Sequence, residues 1–265
     1  MAGFTNQQVV LQPGIFSDSQ KCGEKFLLRL DIDRLLAPCY EAMGKEAPKP
    51  RYGGWEAKGI SGHILGHWLS AASNMYTITK NEEVKARIDH AVEVLASLQD
   101  EQGYVCGFPR SESFDKVFDH PDEFDVEGFT LAGWWVPWYT FHKIFAGLLD
   151  VYTLVGNALA FQVATKLADW VKAGTDRLND EQMARMLLCE YGGMAESCVK
   201  MYELTGQKKY LDLSVRFAEK RIFLPLSQQR DELTGKHANT QIPKIIAAAN
   251  LYNNTGDDYY RRVAE

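Results

Sequence analysis

A turn phrase, Y-x-x-T-G-x-x-x-Y, returns along the chain and limits what it can fold into. It reads YELTGQKKY from Tyr202 and YNNTGDDYY from Tyr252, with looser copies YTLVGNALAF from Tyr152 and YTITKNEEV from Tyr76. The three later copies are spaced by 50 residues. A period of that length is one supersecondary unit, which stacks on its neighbours to bury an apolar face. Before the phrase, apolar residues fall three to four apart, as in Ile60, Ile64, Leu65, Trp68, Leu69 or Phe145, Leu148, Leu149, Tyr152. After it the spacing resumes, as in Ala91, Val94, Leu95, Leu98 or Leu211, Val215, Ala218, Ile222. Gly156 and Gly206 fall where a helix C-cap takes positive φ. The unit is therefore a helical hairpin, and the expected fold is all-α.

One stretch breaks the period. Residues 101–137 carry glycines, aromatics and acids with no helical stripe, punctuated by Gly, Pro and Ser. Insertions of this length inside a domain are usually functional or disordered. The aromatics Tyr104, Phe108, Phe114, Phe118, Phe124, Phe129, Trp134 and Trp135, with Trp138 just beyond, favour an ordered wall over a site.

Charge and composition remove several classes of function. With 29 Lys+Arg against 35 Asp+Glu the net charge is -6, so the basic footprint for nucleic acid or an anionic membrane is missing. A neutral or weakly polar ligand fits better. No apolar run approaches the roughly 20 residues of a membrane-spanning helix. The opening MAGFTNQQVV shows no basic stretch followed by an apolar one, so no secretory signal is expected. The five cysteines, Cys22, Cys39, Cys106, Cys189 and Cys198, are odd in number and never at CxxC spacing. They read as reduced thiols in a cytoplasmic protein. The dinucleotide, P-loop and nucleophile-elbow signatures are absent.

The candidate site residues are polar groups in apolar surroundings. In GHILGHWLSA, His63 and His67 stand four apart on one helix, the spacing at which two imidazoles can share a metal. The Glu of HExxH is absent, so helix packing or a polar pocket are the competing readings. Trp55-Glu56 offers the stacking face and carboxyl that a sugar site uses, or else an exposed loop. His142 lies among apolar helix residues in WYTFHKIFAGLLD, as a core group or a ligand contact. Glu196, after GGMA, either binds ligand or complements a helix dipole. His237, Asn239 and Gln241 open an apolar helix in TGKHANTQIPK, where Asn239 or Thr240 can also serve as a cap.

Together GGWEA at Gly53, GHxxGHxLSA at Gly62, WxPWYTxHKIxAGLLD at Trp135, GGMxE at Gly192, YxLTGxxxYL at Tyr202 and KHANTQIPK at Lys236 resemble the glycoside hydrolase family 127 catalytic domain, typified by β-L-arabinofuranosidases. The resemblance runs over nearly the whole chain. It implies an (α/α)6 toroid of helical hairpins and a carbohydrate ligand at the mouth where helices and loops converge. It also implies a retaining mechanism in which a cysteine thiolate, held on zinc by a glutamate and three cysteines, attacks the sugar while a second glutamate acts as acid/base. By the same resemblance His142, His237 and one of His63 and His67 contact the sugar.

The family's zinc-cysteine residues fall after the HANTQIP helix, and none of the five cysteines here sits in a matching motif. The expectation is a single domain over residues 1–265, an array incomplete at its C-terminal end with about eight or nine helices. No catalytic nucleophile and no metal is assigned within it, so the chain alone is expected to be inactive; zinc belongs to the full-length enzyme. Self-association through uncovered apolar helix faces is expected as well. Two other readings compete: a different (α/α)6 sugar enzyme using the histidines and carboxyls already present, and a helical-repeat module that binds sugar or peptide without chemistry.

Overall fold

The computed structural model describes residues 4–5 and 8–265. Among them lie thirteen α-helices and one small sheet. The chain divides into two compact units. One holds the described part of Met1–Glu101 with Val105–Phe108 and Lys143–Ala164; the other holds Gln102–Tyr104, Pro109–His142 and Thr165–Glu265.

In the first unit, α1 (Ile15–Arg29), α2 (Ile32–Ala42), α3 (His63–Thr79) and α4 (Glu82–Leu98) pack with α3 as the common partner of α1, α2 and α4. α3 and α4 pack on each other, with Leu65, Trp68, Leu69 and Ala72 buried on the one and Val84, Ile88, Ala91 and Leu95 on the other. The Trp68 indole N–H donates to the Leu27 carbonyl at 3.1 Å and pins α1 to α3. The second half of α6 (Pro137–Asp150) belongs here too, followed by a single π-helical turn over Val151–Val155.

A Cβ built at Gly66 would lie 2.1 Å from the Lys143 carbonyl carbon, and one at Gly147 2.8 Å from the Gly66 carbonyl oxygen. Glycine at both points is what lets α3 and α6 cross backbone to backbone.

The turn phrase closes all four hairpins in the same way. Lys80, Gly156, Gly206 and Gly256 take left-handed φ of 53°, 82°, 67° and 68°. Each donates its N–H to the carbonyl of the phrase's first tyrosine, Tyr76, Tyr152, Tyr202 or Tyr252, at 3.0, 3.0, 2.7 and 2.8 Å. The threonine explains itself: the Thr205 and Thr255 hydroxyls donate to the Met201 and Leu251 carbonyls, both at 2.7 Å, and accept from the N–H two residues on. Thr79 does the same in the first copy. In the Tyr152 copy, where valine replaces threonine, the helix ends instead in the π-turn.

The second unit adds α5 (Phe114–Asp119), most of α7 (Ala158–Thr175), α8 (Asp180–Met186), α9 (Met194–Thr205), α10 (Lys208–Arg216), α11 (Lys220–Ser227), α12 (Ala238–Thr255) and α13 (Asp258–Ala264). α9 packs on α10 and α12, and α13 packs on α11 and α12. Val199, Ile222, Phe223, Ala248, Leu251 and Val263 form one core cluster of this unit. The helix count exceeds the eight or nine expected, because α1, α2, α5, α8 and α11 lie outside the hairpin phrase.

The insertion at 101–137 is ordered, but most of its aromatics have another use than the one expected. Tyr104, Phe114 and Phe118 are buried with Trp138, Phe141 and Trp170 in a continuous ring cluster. They are core of the second unit. Beyond α5 the insertion forms three two-residue antiparallel strands, β1 (Val126–Glu127), β2 (Thr130–Leu131) and β3 (Trp134–Trp135), with Glu127 opposite Thr130 and Leu131 opposite Trp134.

Candidate functional site

In the first unit, Gly54–Ala57 form a 3-10 turn that carries Trp55 outward and Glu56 inward. Trp55 is 63% exposed and Glu56 1%. The Glu56 carboxyl is enclosed by the start of α3: Gly62 N–H donates to one oxygen at 2.6 Å, Ile64 N–H to the other at 3.1 Å, and His63 Nδ1 stands 2.8 Å from that second oxygen. His63 Nδ1 also lies 2.6 Å from the Ile60 carbonyl. A carboxyl so placed satisfies first-turn N–H groups that have no helical acceptor. Glu56 is thus a buried clamp on a helix N-terminus, and its oxygens do not face a ligand.

His67 differs from His63. Its ring meets the His63 ring edge-on at 6.1 Å and keeps one side in solvent. Surrounding protein, then the Lys143 ammonium and His63, push its pKa down to about 4, so it is neutral at neutral pH. Of the two imidazoles, His67 is the exposed one, while the Trp55 ring lies 6.5 Å from the His63 ring.

In the second unit, α6 delivers His142, 7% exposed, against the paired glycines before α9. A Cβ built on Gly192 would fall 2.9 Å from His142 Nδ1; one on Gly193, 2.8 Å from Nε2 and 3.2 Å from a Glu196 oxygen. The glycines of YGGMAE are therefore the floor on which the imidazole rests, with Glu196 at its edge.

A cavity of about 170 Å³ opens nearby in sequence terms, lined by Phe129, Cys189, Glu190, His237, Thr240, Gln241 and Lys244 among others. An apolar void of ~150 Å³ accepts benzene, so the volume suits one ring-sized ligand. The segment before the glycines is tied to the insertion by the Glu190 N–H, which donates to the Gly128 carbonyl at 2.9 Å. Phe129, at the β1–β2 turn, meets the His237 ring edge-on at 6.2 Å. His237 is the residue at the N-terminus of α12 and its side chain is exposed; its carbonyl accepts from Thr240 N at 2.9 Å. Asn239 is exposed and outside the cavity lining.

Three buried oxygens here, Glu190 Oε1, Thr240 Oγ1 and Gln241 Oε1, have no hydrogen-bond partner among the described residues. Such groups are rare inside proteins and call for water or a ligand. Lys244 is already engaged: its ammonium pairs with Glu219 and sits 4.7 Å over the Tyr191 ring. Burial lowers the Lys244 pKa despite that carboxyl, and burial with Glu219 raises that of Tyr191.

Nucleophile chemistry is poorly served. Burial, then Glu190, push the Cys189 thiol up to about 12, and burial likewise raises Cys39 and Cys198, whereas a thiolate needs the opposite. Among the described residues no group of three or more His, Cys, Asp and Glu side chains could hold a metal ion. The residues present do not fit a zinc-thiolate centre.

Sequence reasoning named Trp55, Glu56, His63, His67, His142, Glu196, His237, Asn239 and Gln241. The structure gathers His142 with Glu196, and His237 with Gln241. It turns Glu56 inward, leaves Asn239 outside, and adds Glu190 and Lys244. Glu190 had a signal: it is the one acid in the otherwise uncharged run MLLCEYGGMA.

An all-α chain with paired helices and buried polar clusters has the fold of known glycoside hydrolase structures. A GH127 β-L-arabinofuranosidase from Geobacillus stearothermophilus T6 matches with a TM-score of 0.58 at 14% identity, over 95% of this chain and 41% of that one. A GH127 β-arabinofuranosidase matches with a TM-score of 0.63 at 18% identity, over 97% and 41%. A third, described as a glycoside hydrolase, gives 0.52 at 15% identity, over 88% and 33%. The chain thus spans less than half the length of these structures. No curated protein matches it. Residues 8–265 match the family described as beta-L-arabinofuranosidase, GH127 catalytic domain, and the chain belongs to that family.

Proposed function

We propose that the chain is the sugar-binding part of a glycoside hydrolase acting on β-L-arabinofuranosides. The observation that carries this reading is the ring-sized cavity lined by Glu190, Thr240 and Gln241, each with a buried side-chain oxygen that has no hydrogen-bond partner among the described residues, and by His237. A furanose presents hydroxyl donors on all sides of one small ring, which is the pattern such acceptors require. His142 and Glu196 on the Gly192-Gly193 floor of the same unit are further sugar contacts in this reading. By resemblance, zinc and the attacking thiolate belong to the full-length enzyme, so binding is this chain's contribution.

Titrating methyl β-L-arabinofuranoside into the chain by calorimetry tests the proposal. His237→Ala and Glu190→Gln should each weaken binding about tenfold, the loss of one charge-assisted or imidazole hydrogen bond. Affinity unchanged in both variants would remove the cavity from the site and favour a binding module of another kind.

The cytoplasm is the location we propose, supported by five cysteines that form no disulfide with one another. Among the described residues no helix is long and apolar enough to cross a membrane. Self-association is proposed through α1, which exposes Ile15, Phe16 and Phe26 at 76%, 74% and 59%.

A further inference from the structure

Next to the cavity of Glu190 and His237, in the same unit, lies a larger one of about 300 Å³. It is bounded by α8, the 187–188 segment and the junction of α10 with α11. Its floor is apolar, formed by Met183, Leu187, Leu188, Val215 and Ala218, with Arg216 in the wall. Leu187, Leu188 and Arg221 line both cavities, so a molecule seated in one abuts the other across a shared wall.

The charges around it are unequal in an informative way. Lys220 stands 3.7 Å from Asp180, and Arg221 2.7 Å from Glu219. Arg216 has no carboxyl partner among the described residues. It donates through one terminal nitrogen to the Thr175 and Leu178 carbonyls, both at 2.8 Å, and its Nε is buried without any acceptor. A guanidinium in an apolar recess, lacking an anion, is complementary to a ligand that brings one. The volume is about twice what benzene needs, which leaves room for an aromatic ring with a substituent.

We infer that this second cavity receives the aglycone of the substrate, an aryl group bearing a carboxylate, with Arg216 as its counter-charge. The inference rests on the neighbouring cavity being the sugar site. The ring would lie on Met183, Leu187 and Val215 and its carboxylate would face Arg216, while the furanose occupies the cavity of Glu190 and His237. Specificity would then be divided by chemistry: acceptors for the sugar hydroxyls on one side of the shared wall, apolar surface and one cation without a carboxylate partner among the described residues on the other.

The test compares two probes by calorimetry, methyl β-L-arabinofuranoside and 4-carboxyphenyl β-L-arabinofuranoside, on the chain as it is and on two variants. Val215→Glu and Ala184→Glu put a negative charge at exposed positions that line only the second cavity, so neither should disturb folding or the sugar cavity. The carboxyaryl glycoside should bind about tenfold more tightly than the methyl glycoside. Both variants should lose that gain and keep the methyl glycoside's affinity. Equal affinity of the two probes, or a gain that survives both variants, overturns the aglycone assignment and leaves the sugar reading standing. Failure of both probes to bind overturns the two together.

Discussion

Glu56 and His67 look alike in sequence terms, two polar residues near a helix start, and the structure gives them opposite duties. Glu56 holds two N–H groups of the α3 start and the His63 ring with a carboxyl that is almost fully buried. Glu56→Ala strands those donors, and thermal unfolding should show a loss of about 2–4 kcal/mol; Glu56→Gln, which keeps an acceptor, should cost less. The bonds run six to eight residues forward through a turn, a distance at which no sequence period operates, so this role was not legible beforehand. Glu190 differs: its one signal is its isolation as the single acid of the run MLLCEYGGMA, which marks the residue without saying what it faces. His67 makes a pH prediction with a definite sign. Its pKa of about 4 lies below the 6.5 of the unfolded chain, so the unfolded state binds more protons between those values. Stability should be level above pH 6.5 and fall as the pH drops towards 4, by about 1 kcal/mol once solvent at the exposed ring edge is allowed for. His67→Gln should flatten that slope in denaturant titrations run at several pH values; an unchanged slope would place the effect elsewhere.

The helices follow from chemistry that the sequence displays openly, and the insertion does not. Tyrosine, threonine and glycine of the turn phrase each have an assignable bond, which is why the four hairpins could be read from spacing alone. Thr205→Val removes a hydroxyl that both donates and accepts, and should cost about 1 kcal/mol in chemical denaturation. The crossing of α3 and α6 is far less forgiving. Gly66→Ala drives a methyl into the Lys143 backbone, which cannot swing aside as a side chain would, and should cost about 3 kcal/mol or more. Gly128→Ala, with nothing within 4 Å of the new Cβ, should be near neutral in the same melt. Strands of two residues are too short for alternation to register, so the β1–β3 sheet left no mark in the sequence. Its neighbouring aromatics were visible, but burial among Trp138, Phe141 and Trp170 depends on chain segments that only the fold brings together.

At the scale of the whole molecule, family membership and all-α architecture were both legible, through six motifs and one period. The chemistry stands apart from them. With the Cys39, Cys189 and Cys198 thiols held up by burial and no three-ligand metal group among the described residues, the chain with added zinc should show no turnover of an aryl β-L-arabinofuranoside. Measurable hydrolysis would overturn that assignment. Light scattering should find more than one chain per particle, and Phe16→Ser with Phe26→Ser should shift the population towards the monomer if α1 is the surface involved. The turns have a further consequence. Each one closes on bonds made within its own few residues, so the joint is already satisfied wherever a hairpin is placed. A gene for such an array can duplicate, lose or exchange a hairpin without redesigning the connection, and selection is left to act on the flanks that neighbouring hairpins must share.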